Sequence, residues 1–75
     1  MARTNSTEAK AWLSEFGQRL RALREEAGLS QASLAFAADL HPTYISGVER
    51  GLRNVSLVNI RALAQALSRP VSDLF

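Results

Sequence analysis

The sequence predicts an all-α domain of five short helices. Apolar residues recur at spacings of three and four along most of the chain. Capping residues and glycines bracket each periodic stretch, and no strand-type alternation is sustained. The chain has 75 residues and no cysteine, which allows one domain with a modest core and no disulfide or thiolate metal site. A core of that size commonly gains stability by dimerising.

The elements follow in order. Residues 1–7 read as a flexible arm, made slightly basic by Arg3. Ser6 or Thr7 offers a hydroxyl to the free amides of a first turn, and Glu8 sits near the positive end of the dipole. Trp12, Leu13, Phe16, Leu20, Leu23 and Ala27 then make one apolar stripe, and Gly28 ends helix one, giving a span of about 8–27. Ser30 caps helix two over 31–38, with Leu34, Ala35 and Ala38 turned inward. Asp39, Leu40 and His41 form a tight connection. Pro42 suits the first turn of helix three, where its missing N–H costs nothing, which makes His41 the N-cap. Ile45, Val48 and Leu52 are its buried edge, and it runs over 42–50 to Gly51. A loop with Arg53 and Asn54 at its tip leads to Ser56, the cap of helix four. Leu57, Ile60, Leu63, Ala64 and Leu67 are the core stripe of that helix, and Arg69-Pro70 stops it. Residues 71–75 make a final short turn, with Ser72 available as a cap and Leu74 and Phe75 pinning it to the core.

The net charge is +2, a mild lean whose distribution says more than its size. Acids and bases mix in the first half. From Arg50 to Arg69 every charged residue is basic: Arg50, Arg53, Arg61 and Arg69. A basic bias in one part of a small fold suits a phosphate-binding face. No apolar run approaches the roughly 20 residues that span a bilayer, and residues 1–10 lack the apolar stretch of a secretory signal. The expectation is a cytoplasmic protein with no membrane partner. The single histidine, His41, and its neighbour Asp39 match no triad or metal-ligand spacing. The sequence therefore argues against an enzyme, and no metal, cofactor or small-molecule ligand is expected.

Two short helices joined by a turn inside an all-helical domain are the arrangement of a helix-turn-helix, whose second helix enters the major groove while the first crosses the backbone. Helix three fits that role, with Thr43, Tyr44, Ser46 and Gly47 outward at its N-terminal half. The segments Leu29-Ser30-Gln31-Ala32, Ile45-Ser46-Gly47-Val48-Glu49-Arg50-Gly51 and Arg53-Asn54-Val55-Ser56-Leu57 resemble the phage-repressor-type, or XRE, helix-turn-helix family over about residues 16–75. Within it, the run from Thr43 to Arg50 with Arg53-Asn54 is most similar to the controller proteins of restriction–modification systems, which are small homodimeric transcription regulators.

The resemblance implies a five-helix DNA-binding domain of the phage-repressor type and assigns roles by position. Gln31 opens helix two, where the family bonds a phosphate and braces the recognition helix; a solvated helix start is the alternative. Thr43 and Tyr44 match positions that touch bases or phosphates, although Tyr44 can equally be half-buried packing. Ser46 is small enough for close approach to DNA. Gly47 gives either room for DNA or close helix packing. Arg50 is phosphate-near or solvated. Arg53 offers a charged fork to phosphate or guanine, and Asn54 accompanies it to the backbone. Arg24 and Glu49 stand where the family places a structural ion pair. Pro42 departs from the pattern. It occupies a position where controller proteins often carry a guanine-reading arginine, and it has no donor, so specificity falls on Thr43, Ser46, Arg53 or DNA shape.

On helix four, Val58, Ala62 and Gln65 lie on a face apart from the core stripe, and the resemblance implies a homodimer through it. Two-fold symmetry would set two recognition helices about 34 Å apart on a palindromic operator of double-stranded DNA. The rival reading is another XRE-type repressor, or an antitoxin that binds a protein partner as well as DNA.

Overall fold

The computed structural model describes residues 6–75. It contains helices α1 (Ser6–Glu26), α2 (Gln31–Ala38), α3 (Pro42–Glu49) and α4 (Leu57–Ala66), then a 3-10 turn over Val71–Leu74. The expected fifth helix is thus a single tight turn. Pro70 stands at its N-cap position with no side-chain bond, so Ser72 does not cap it. Its bonds run from Asp73 N to Pro70 O at 3.0 Å and from Phe75 N to Ser72 O at 3.2 Å.

Residues 1–5 of the expected N-terminal arm lie outside the described residues. Its last two, Ser6 and Thr7, already belong to α1. Three later helices begin on side-chain caps. Ser30 Oγ accepts from Ser33 N at 3.0 Å, His41 Nδ1 accepts from Thr43 N at 3.1 Å, and Ser56 Oγ accepts from Asn59 N at 3.1 Å.

All four helices close through one residue in the left-handed region. Gly28 (φ 73) and Gly51 (φ 75) do so after α1 and α3, and Asp39 (φ 57) and Ser68 (φ 55) do so after α2 and α4. At each end two amides reach back to otherwise orphaned carbonyls. After α4, for example, Ser68 N donates to Gln65 O at 3.0 Å and Arg69 N to Ala64 O at 2.9 Å. Ser68 therefore stops α4 ahead of Arg69 and Pro70.

The core gathers one side of every helix. Leu20 of α1, Leu34 of α2, Ile45 and Val48 of α3, Leu63 of α4 and Leu74 of the turn are fully buried. α3 packs on α1 and α2, and α4 packs on α2 and the turn. Several expected core residues lie outside this centre. Trp12 precedes the part of α1 that meets the other helices. Leu52 follows the reversal at Gly51. Leu57 sits a turn away from the stripe that Ile60 and Leu63 bury. All three side chains are exposed. Phe75 is also exposed, although its ring centroid stands 5.5 Å from that of Phe16.

Candidate nucleic-acid interface

α1 and α3 cross at a point of backbone contact. A Cβ added to Gly17 would overlap the Val48 carbonyl oxygen and stand 2.7 Å from that of Glu49. Only a glycine lets α3 lie this close. Sequence reasoning passed over Gly17; its signal was a glycine inside an otherwise regular helix, which costs about 1 kcal/mol unless something approaches closely.

An ion pair then fixes the angle of α3. Arg24 Nε donates to Glu49 Oε2 at 2.6 Å and Arg24 Nη2 to Oε1 at 3.0 Å, while Nη1 donates to the Leu29 carbonyl at 2.9 Å. The two side chains are only 11% and 3% exposed. The hydrogen bond to Glu49, assisted by that carboxylate's field, raises the Arg24 pKa above its ordinary value against the opposing cost of burial. A raised cationic pKa contributes stability that is complete below the unfolded value, so this contribution is fully present at neutral pH. Gln31 joins the pair by donating from Nε2 to Glu49 Oε1 at 3.0 Å. One amide N–H of Gln31 is thereby used, and its other N–H remains for an outside acceptor. Among the described residues no buried side-chain nitrogen or oxygen lacks a partner.

On this support, α3 turns Thr43 outward and exposed, with Tyr44 and Ser46 half-buried. Tyr44 packs against the core, and its hydroxyl accepts from Asn59 Nδ2 at 3.1 Å. A hydroxyl that accepts here keeps its own proton for another partner. Asn59 was not singled out from the sequence; its signal was a polar side chain in the first turn of α4, off the core stripe. Gly47 is buried, not outward as the sequence suggested. Arg53 covers it, with Cγ 3.0 Å and Nε 3.1 Å from where a Cβ would stand.

Arg50, Arg53 and Arg61 are exposed and make no side-chain ion pair or hydrogen bond among the described residues. Arg69 differs, because it bridges Glu26 at 2.7 Å and Asp73 at 3.2 Å. Its charge is matched within the fold and leaves the basic set that the sequence grouped together. Asn54 is exposed at the loop tip beside Ala9, Trp12 and Leu13 of α1. On α4, Leu57 and Val58 are 77% and 76% exposed. Gln65 is exposed on the same side, and Ala62 is partly covered by its own core. No group of three or more histidine, cysteine, aspartate or glutamate residues suited to a metal occurs among the described residues. No helix among them is long and apolar enough to cross a membrane.

The fold is shared with known proteins. The helix-turn-helix family model matches residues 20–74. Control protein C.BamHI of Bacillus amyloliquefaciens is 52% identical over 60 residues, which are 79% of this chain and 74% of that protein. The crystal structure of the restriction–modification controller protein C.AhdI from Aeromonas hydrophila matches with a TM-score of 0.86 at 58% identity, covering 87% of this chain and 98% of that one. The restriction–modification controller protein C.Esp1396I, solved as a tetramer in complex with its natural 35 base-pair operator, matches with a TM-score of 0.74 at 33% identity, covering 77% of this chain and 76% of that one. The chain belongs to the helix-turn-helix family of the phage-repressor (XRE) type and is similar to restriction–modification controller proteins.

Proposed function

We propose that the protein is a sequence-specific DNA-binding transcriptional regulator that acts as the homodimeric controller of a restriction–modification operon. The observation that carries this reading is an outward Thr43 on a braced α3 together with Arg50, Arg53 and Arg61, which pair with no described residue, at the end of α3 and on the elements that follow. On this reading α3 enters the major groove of a palindromic operator, and the protein works in the cytoplasm. Thr43 offers a methyl to a thymine and a hydroxyl to a base or phosphate. Tyr44 donates its free hydroxyl proton, Ser46 allows close approach, and Gln31 gives its second N–H to a phosphate. Arg50, Arg53 and Asn54 meet the backbone, with Arg53 in reach of a guanine edge. The N-terminus of α4 adds backbone amides. Pro42 reads no base, so part of the selectivity comes from DNA shape.

A gel-shift series with DNA from upstream of the protein's own gene tests the reading. Each phosphate contact releases counterions, so affinity is expected to fall by about 10³-fold or more between 50 and 200 mM salt. Binding that is absent, or indifferent to salt, contradicts it.

Dimerisation is assigned to the outer face of α4, where Val58 stands with Leu57, Gln65 and the free edge of Ala62. Val58→Asp would bury an unpaired carboxylate at that contact, so it is expected to weaken the dimer by about 30-fold or more. Light scattering at micromolar concentration should then report monomer. An unchanged dimer mass removes α4 from the interface.

A further inference from the structure

Gly47 lies in the last turn of α3, has no positive φ, and is buried. Neither turn geometry nor helix stability asks for glycine there, since alanine is the better helix former. What fills the space is Arg53. Its Cγ, Nε and Cδ lie 3.0, 3.1 and 3.6 Å from the position of a Cβ on Gly47. The Arg53 side chain therefore lies along the surface of α3, with its aliphatic stem on the bare backbone. Its guanidinium makes no bond to any described residue.

An arginine side chain has many rotamers, and ordering it on binding carries an entropic cost. A seat that holds the stem before DNA arrives lowers that cost at binding. The seat also aims the fork. Gly51 closes α3 in a left-handed turn, and Leu52 N donates to the Gly47 carbonyl at 2.9 Å. The loop is thus anchored to the very residue on which the arginine rests.

We propose that Gly47 is a positioning residue for DNA recognition: it acts by seating Arg53 against the recognition helix and makes no contact with DNA itself. This rests on the assignment of Arg53 to the DNA face. A Cβ at position 47 forces the stem of Arg53 outward by a few tenths of an ångström or more, and the guanidinium at its end moves further. Gly47→Ala therefore separates two properties that usually fall together. The helix gains stability while DNA binding weakens.

The test is a double-variant cycle on Gly47→Ala and Arg53→Ala. The probe is a duplex that the native chain selects from a random-sequence pool, titrated across a salt series, with thermal unfolding measured in parallel. Arg53→Ala is expected to lose about ten-fold in affinity and about one unit of salt slope. Gly47→Ala is expected to lose several-fold with an unchanged or higher Tm, and to lose nothing further once Arg53 is alanine. Gly47→Ser, small but also bearing a Cβ, is expected to behave as the alanine does. Full affinity in Gly47→Ala overturns the proposal, because the arginine then needs no seat. An equal loss in the Arg53→Ala background also overturns it, because Gly47 then faces the DNA directly. Full affinity in Arg53→Ala overturns the assignment of Arg53 and, with it, the inference; a loss in Arg53→Ala beside a native-like Gly47→Ala overturns the inference alone.

Discussion

Gly17→Ala is expected to lower the Tm by about 10 °C or more, although alanine is the better helix former by about 1 kcal/mol. The reason is the crossing of α1 and α3. The added methyl would overlap the backbone carbonyls of Val48 and Glu49. Neither carbonyl can swing aside as the end of a flexible side chain does, so α3 as a whole has to move off α1. Overpacking of this kind costs about 1–3 kcal/mol and more when backbone must shift. Gly28→Ala is the matched control. It carries φ 73, and nothing lies within 4 Å of an added Cβ, so only the backbone penalty of about 1 kcal/mol applies. Thermal unfolding of the two variants decides the matter. A Gly17→Ala Tm no lower than that of Gly28→Ala would show that the crossing has room.

The second large effect is at Glu49. Glu49→Ala removes the acceptor of two Arg24 bonds and one Gln31 bond at a single stroke, leaving a guanidinium whose side chain is only 11% exposed. Stranding a buried charge costs about 3–5 kcal/mol, comparable to the whole stability a core of this size supplies. Replacing both partners by apolar residues of similar volume, Arg24→Met with Glu49→Leu, avoids the stranded charge and is expected to recover most of the loss. Urea denaturation at neutral pH reads both. A double variant as unstable as Glu49→Ala would mean that shape, not charge, is what Glu49 supplies. In either variant DNA affinity should fall beyond the loss of folded protein, because the pair sets the angle at which α3 is presented.

The helix ends show why some of the fold was legible in the sequence and some was not. Gly28 and Gly51 announce left-handed closures because glycine adopts positive φ without steric cost. Asp39 and Ser68 make the same closure with residues that also serve as caps and surface polar groups, so nothing local marks them. α4 consequently ends before the Arg69-Pro70 signal. Periodicity located Ile60 and Leu63 but could not separate them from Leu57, because a stripe drawn at spacings of three and four is wider than the part a neighbour covers. The outward placement of Thr43 was legible from helical periodicity, and both Thr43 and Arg53 are exposed. Gly47 was singled out, but not the Arg53 stem that covers it; Gly17 and Asn59 were passed over, because their partners, the Val48 and Glu49 carbonyls and the Tyr44 hydroxyl, are distant in sequence.

On the proposed function, the outer surface of α3 and the loop after it meet DNA. Backbone amide NMR of the chain, titrated with its selected duplex, maps that surface directly. The largest shifts are expected at Gln31, Thr43, Tyr44, Ser46 and Arg53 and at the first turn of α4, with little change at Arg19, Glu26 and Asp73, which hold α1 to the final turn directly or through Arg69 and add two carboxylates there. Shifts concentrated on that seam, with Thr43 and Arg53 unmoved, would contradict DNA binding by α3.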